Sequence, residues 1–150
     1  MYSRTTSALH DFGLLLIRVI LGVVLMFHGS QKLFGWFEGQ GMAGFVEAIE
    51  KMEVVPMPQV SAYLSAGTEF FGGLLLVVGF LTRLVAIPAA FNMFVAAIVV
   101  HGAAFSLADD GMEYALTLAV VATALIFTGA GRFSVDGCLW RETSPPPSDG

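Results

Sequence analysis

The chain has 150 residues, 56% of them hydrophobic and 13% charged, with a net charge of −5. Soluble domains run about 45–50% apolar and about 25% charged, so this composition, with a mean hydropathy of +0.78, excludes a disordered chain and a coiled coil. Seven Lys and Arg side chains exclude a polyanion-binding face, and the single cysteine, Cys138, excludes an intrachain disulfide, a CxxC redox pair and a cysteine-rich metal centre.

Four apolar stretches follow in order. The first runs from about Phe12 to Phe34 and holds Arg18 and His28; the second, from about Val60 to Leu81, holds Glu69. The third, from about Leu84 to Leu107, holds Asn92 and His101; the fourth runs from about Glu113 to Ala130. Each is near the ~20 residues a helix needs to cross a bilayer core. Lipid offers the backbone no hydrogen bonds, so such spans are helices. They lack the alternation, and exceed the ~10-residue strands, of an outer-membrane barrel. Arg4 precedes the first run as in a signal peptide, but Arg18 interrupts it and no A-x-A-like site follows, so it reads as a retained span.

The first connection, roughly Gly35 to Gln59, contains a short amphipathic helix. Met42, Phe45, Val46, Ile49 and Met52 recur at helical spacing, with Glu47, Glu50 and Lys51 opposite. Such a helix suits the membrane surface, and Trp36 and Phe37 before it suit the headgroup region. Pro56 and Pro58 end it. Thr82 and Arg83 make a tight hairpin between spans two and three; Ser106 to Gly111 joins three and four. The fold class is therefore all-α: a polytopic four-helix transmembrane bundle over residues 12–139, with an N-terminus of residues 1–11 and a disordered tail of residues 140–150 containing Pro145, Pro146 and Pro147. Arg4, Arg83, Arg132 and Arg141 share one side, against Lys32 and Lys51 on the other, which places both termini in the cytoplasm.

An ionisable residue inside a span costs about 2.5–3.5 kcal/mol on insertion scales and persists when it is paired, wetted or used. At about 100° per residue, Arg18, Gly22, Leu25, Gly29 and Lys32 share a face, with His28 at its edge. Ser65, Ala66, Glu69, Gly72 and Gly73 form a second polar and small stripe; Glu113, Thr117, Val120, Ala124, Thr128 and Gly131 form a third. Small residues let helices approach closely, so these stripes are expected to face the interior. A rise of about 1.5 Å per residue puts Arg18 roughly 9 Å, Glu69 roughly 18 Å and His28 roughly 24 Å from the cytoplasmic boundary. The expectation is an Arg18–Glu69 ion pair, with His28 bonding Glu69 and Lys32 pairing with Glu113. Two uses fit: structural glue with Lys32 snorkelling to headgroups, or a polar pocket with apolar walls. The pocket's candidate residues are Arg18, His28, Lys32, Glu69, Asn92 and Glu113. A cation would hold an anionic oxygen, and Glu69 or His28 would exchange protons.

Haem is disfavoured. His101 lies nine residues from Asn92, about 180° around the same helix from it. The three histidines show no metal-ligand spacing, the seven methionines read as packing, and Gly129-x-Gly131 follows a helix rather than a strand and reads as a helix stop.

In order and spacing the chain resembles the DoxX family of four-span bacterial membrane proteins over Leu14 to Leu139. The resemblance is carried by Arg18, Gly22, His28-Gly29 and Lys32, by Glu69 with Gly72-Gly73, by Gly79 and the Thr82-Arg83 turn, and by Gly129-x-Gly131 with Arg132, Ser134 and Asp136. Gly41 and Gly44-Phe45 look like that family's first connection. The family takes its name from a subunit of a thiosulfate:quinone oxidoreductase, and other members look like parts of membrane oxidoreductase complexes linked to oxidative stress, thiol balance or resistance to quinones and catechols. The resemblance implies a quinone-linked redox context in the bacterial inner membrane. Thiosulfate oxidation does not carry over, because this chain has no sulfur-handling cysteine pair.

The expected function is a quinone-interacting subunit or small component of a membrane oxidoreductase. Its expected partners are the lipid bilayer, a quinone or small aromatic redox molecule, a redox-enzyme subunit and further copies in an oligomer, with no nucleic acid. The alternatives are a non-catalytic scaffold for a redox partner and a small-solute transporter, the latter disfavoured by the lack of a broken-helix pair.

Overall fold

A computed structural model describes residues 4–141. The described residues are all helix and connection. Helix α1 spans Arg4–Leu33 and α2 spans Gly41–Glu50. Helix α3 spans Pro58–Val78 and α4 spans Thr82–Val100. After a single turn at Leu107–Asp109 come α5, Glu113–Thr128, and α6, Val135–Arg141.

Three helices are long and apolar enough to cross a membrane: Ala8–Leu33 within α1, α3 and α4. Helix α5 is apolar but has 16 residues, about 24 Å at 1.5 Å per residue, against a core of about 30 Å. The chain is thus a polytopic, all-helical membrane protein whose fourth helix is shorter than its apolar run suggests. The third apolar run is also split. Helix α4 stops at Val100, and the next residues form a cap in which the His101 ring bonds the Asp110 carbonyl at 2.9 Å. The expected tail differs at its start, since the backbone of residues 140 and 141 continues α6; from residue 142 it lies outside the described residues.

Packing follows the small-residue stripes. The backbones of α1 and α3 meet at Gly22 and Gly73, where a Cβ on either would fall 2.6 Å from the other's carbonyl oxygen. Close approach of this kind replaces the missing hydrophobic drive between helices in lipid. Helices α4 and α5 also pack closely, along Ala86, Ala89, Ala90, Ala119 and Ala122, and Leu21, Leu25, Leu76, Met93 and Leu125 complete the core.

The amphipathic helix α2 turns its apolar face onto α3. Phe45 and Ile49 are buried against Ala62 and Ala66 of α3, with Leu33, Met42, Val46 and Val55 around them. Its apolar face is spent inside the chain because the short stretch from Lys51 to Met57 folds it back on α3. Glu47 and Lys51 pair at 2.7 Å on its exposed face.

Beyond Thr128 the chain returns as a clasp. Asp136 accepts from the N–H groups of Leu81 and Thr82 at 2.7 and 2.9 Å, capping α4, and donates its own N–H to the Gly79 carbonyl at 2.9 Å. Asp11 of α1 accepts from the Arg132 N–H at 3.2 Å. Gly79 sits in the left-handed region at φ +72°, and a Cβ there would collide with the Arg18 guanidinium.

Candidate functional site

Lys32 lies in the last turn of α1, and its Nζ donates to Glu69 Oε1 at 2.5 Å. The same oxygen accepts from Asn92 Nδ2 of α4 at 3.0 Å. Three helices therefore converge on one carboxylate, which is only 1% exposed. Its second oxygen, Oε2, is buried and has no partner among the described residues. An unsatisfied buried acceptor costs roughly 1–3 kcal/mol, more when charged, so it marks a place where a proton or a donor belongs.

The local backbone is unusual at this point. Thr68–Gly72 is a π turn within α3, and Glu69 belongs to it. Single π turns inside α-helices are frequent at functional sites. The turn re-aims Glu69 toward α1 and α4 while Gly72 and Gly73 keep the helix close to its neighbours.

Lys32 is held from two sides. Its Nζ also lies 4.8 Å from the Phe45 ring centroid of α2, a cation–π contact. So the helix folded over this end of the bundle covers the ion pair. Beside it, Phe70 packs edge-on against Phe34 at 5.1 Å and against Trp36 at 6.5 Å. Phe34 and Trp36 are exposed. An aromatic border thus leads from the surface to the residue next to Glu69.

Of the six expected pocket residues, the fold brings together Lys32, Glu69 and Asn92. The expected Arg18–Glu69 pair does not form. Arg18 lies 14 residues from Lys32, about 21 Å along α1, and it donates from Nη2 to the Phe133 carbonyl at 2.7 Å. Counting each helix from its own end placed Glu69 too near Arg18. The Gly22–Gly73 contact instead sets Arg18 beside Gly79. Lys32 does not pair with Glu113; Glu113 accepts from the Leu107 N–H at 2.6 Å and holds the loop before α5. His28 packs against Phe27 and, at 6.1 Å, against Tyr114 of α5, rather than on Glu69.

Sequence reasoning missed Phe45 as a partner of Lys32 and Asp136 as the cap of α4. Phe45 carried a signal, since it stands on the apolar stripe of α2. The partners of Asp136 lie 54 and 55 residues away, and no local spacing announces them. Among the described residues no group of three or more His, Cys, Asp or Glu side chains is placed to hold a metal.

Comparison with known proteins places the chain in a family. The DoxX family model matches residues 13–102, which include Lys32, Glu69 and Asn92. The chain is also similar to a Bacillus subtilis (strain 168) protein named "Putative oxidoreductase CatD", 31% identical over 131 residues, 87% of this chain and 90% of that protein. No solved structure matches it. With the family model covering more than half of the chain and the relative nearly all of it, the chain belongs to the DoxX family.

Proposed function

We propose that the protein is a quinone-interacting component of a membrane oxidoreductase, inserted as a multi-pass protein in the bacterial inner membrane with both termini in the cytoplasm. The observation that carries this reading is the unpartnered Oε2 of buried Glu69. The name of the Bacillus relative supports the oxidoreductase part.

The residues fit a quinone head. It needs donors for its carbonyl oxygens, an apolar wall and access from the bilayer. Lys32 is partly exposed and supplies a donor. Glu69 Oε2 supplies a proton acceptor, or a donor once protonated. Phe34, Trp36 and Phe70 supply the wall and the access. A bound quinone would supply two-electron, two-proton chemistry. Lys32 holds one oxygen of Glu69 and leaves the other free for proton exchange. Asn92 fixes the carboxylate plane through its bond to Oε1. Phe45 keeps Lys32 from turning outward.

The test uses Trp36 fluorescence in a W140F background, the chain having two tryptophans. Short-chain ubiquinone and menaquinone analogues are titrated into the purified protein. Saturable quenching is expected, weakened about tenfold or more in E69Q and K32Q, the scale of losing a hydrogen bond to a charged group. Quenching that never saturates, or that both variants leave intact, would overturn the reading.

A further inference from the structure

Ten residues along α4 from Asn92, about 15 Å away, a cavity of about 510 Å³ opens between the first turn of α4 and the end of α5. Thr82, Arg83 and Leu84 line one wall; Thr128, Gly129 and Gly131 line the other.

Three kinds of donor converge there. Arg83 is exposed, and its guanidinium bonds only weakly to the chain, from Nη2 to the Phe127 carbonyl at 3.3 Å. The N–H groups of Arg83 and Leu84 precede the first i→i−4 bond of α4, which runs from Val85 to Leu81, so they have no carbonyl within the helix. The Thr82 hydroxyl is fully buried and has no partner among the described residues. One carboxylate, Asp136, also faces the cavity. Its two oxygens are occupied by the N–H groups of Leu81 and Thr82. The charged group left free to meet a ligand at the cavity is therefore Arg83. Outside it, Leu84 is 63% and Phe127 76% exposed.

We propose that this cavity binds the phosphodiester of an anionic phospholipid. Arg83 meets the phosphate, with the first-turn amides and the Thr82 hydroxyl completing its donors, in the manner of anions at helix N-termini. The acyl chains lie along Leu84 and Phe127, and these apolar neighbours favour a lipid over a free anion. Basic pockets between membrane helices recognise anionic headgroups by the same chemistry. The site is independent of the quinone reading, since it shares no residue with the Glu69 cluster.

The full chain in mild detergent is incubated with equal amounts of phosphatidylglycerol and phosphatidylcholine of identical acyl chains, and retained lipid is counted by native mass spectrometry. About a fivefold preference for phosphatidylglycerol is expected, the worth of one basic residue near an anionic headgroup. R83Q is expected to bring the ratio close to one, R83K to keep most of it, and K51Q, on the exposed face of α2, to leave it unchanged. Equal retention by the unaltered chain, a preference that survives R83Q, or one lost in K51Q would each overturn the proposal. Displacement of the lipid by millimolar inorganic phosphate would also overturn it, by showing a free-anion site.

Discussion

Lys32 and Glu69 form an ion pair in which the carboxylate is 1% and the ammonium 24% exposed. Such a pair is asymmetric in its energetics. Deleting one partner strands a buried charge, whereas replacing both by apolar groups of similar volume is often close to neutral. K32M is therefore expected to destabilise the protein by about 3 kcal/mol, and the double variant K32M/E69L by clearly less. Thermal unfolding in detergent measures both. A double variant as unstable as K32M alone would show that the carboxylate is not held by this pair.

The Gly22–Gly73 contact sets the register of α1 on α3. The atom that a new Cβ on Gly73 meets is backbone, the Gly22 carbonyl oxygen at 2.6 Å, and backbone cannot swing away. G73A is expected to cost about 1–3 kcal/mol. G13A, in the same kind of helix but with nothing within 4 Å, is expected to be neutral or stabilising by up to about 1 kcal/mol. Unfolding midpoints of the two variants, side by side, make the comparison.

Asp136 caps α4 through the N–H groups of Leu81 and Thr82. D136N keeps the shape and weakens the cap. Loss of a cap costs about 0.5–2 kcal/mol. D136N is expected to destabilise more than D109N, whose carboxylate is exposed in the opposite loop. Equal effects would remove Asp136 from its role as a lock between α6 and the start of α4.

On the exposed face of α2, Lys51 holds the Glu47 carboxyl below the usual carboxylate range through a hydrogen bond and its charge. The sign follows from linkage. A carboxyl lowered in the folded state contributes stability above its unfolded pKa and loses it as pH falls through the folded value. Carbon-detected NMR titration is expected to put the Glu47 midpoint below that of an isolated glutamate, and K51Q to return it there. Because the pair is exposed, E47Q is expected to leave the unfolding temperature almost unchanged.

Cys138 is exposed near the end of the described chain. Under the proposed topology, a membrane-impermeant maleimide labels it in inverted vesicles and not in intact cells. The opposite pattern would invert the orientation.

Local pattern determined much of this protein. The apolar runs mark the helices, because a backbone in lipid must bond within its own segment. Gly22 on the first span and Gly72-Gly73 on the second mark the close helix contact. Lys32, Glu69 and Asn92 each stand out because a polar group inside a span needs a reason to be there. Which of them meet was another matter. Periodicity fixes a residue's angle on its own helix but leaves the sliding of one helix along another undetermined. That offset is decided by backbone contact between Gly22 and Gly73, and by the π turn at Thr68–Gly72. Together they give Glu69 to Lys32 and Asn92, and leave Arg18 to the Phe133 carbonyl. The same holds for α2: its amphipathic stripe was legible, but only the folded chain shows that α3 and Lys32 meet it. Composition and spacing thus determined which residues carry the chemistry, and tertiary packing decided which of them act together.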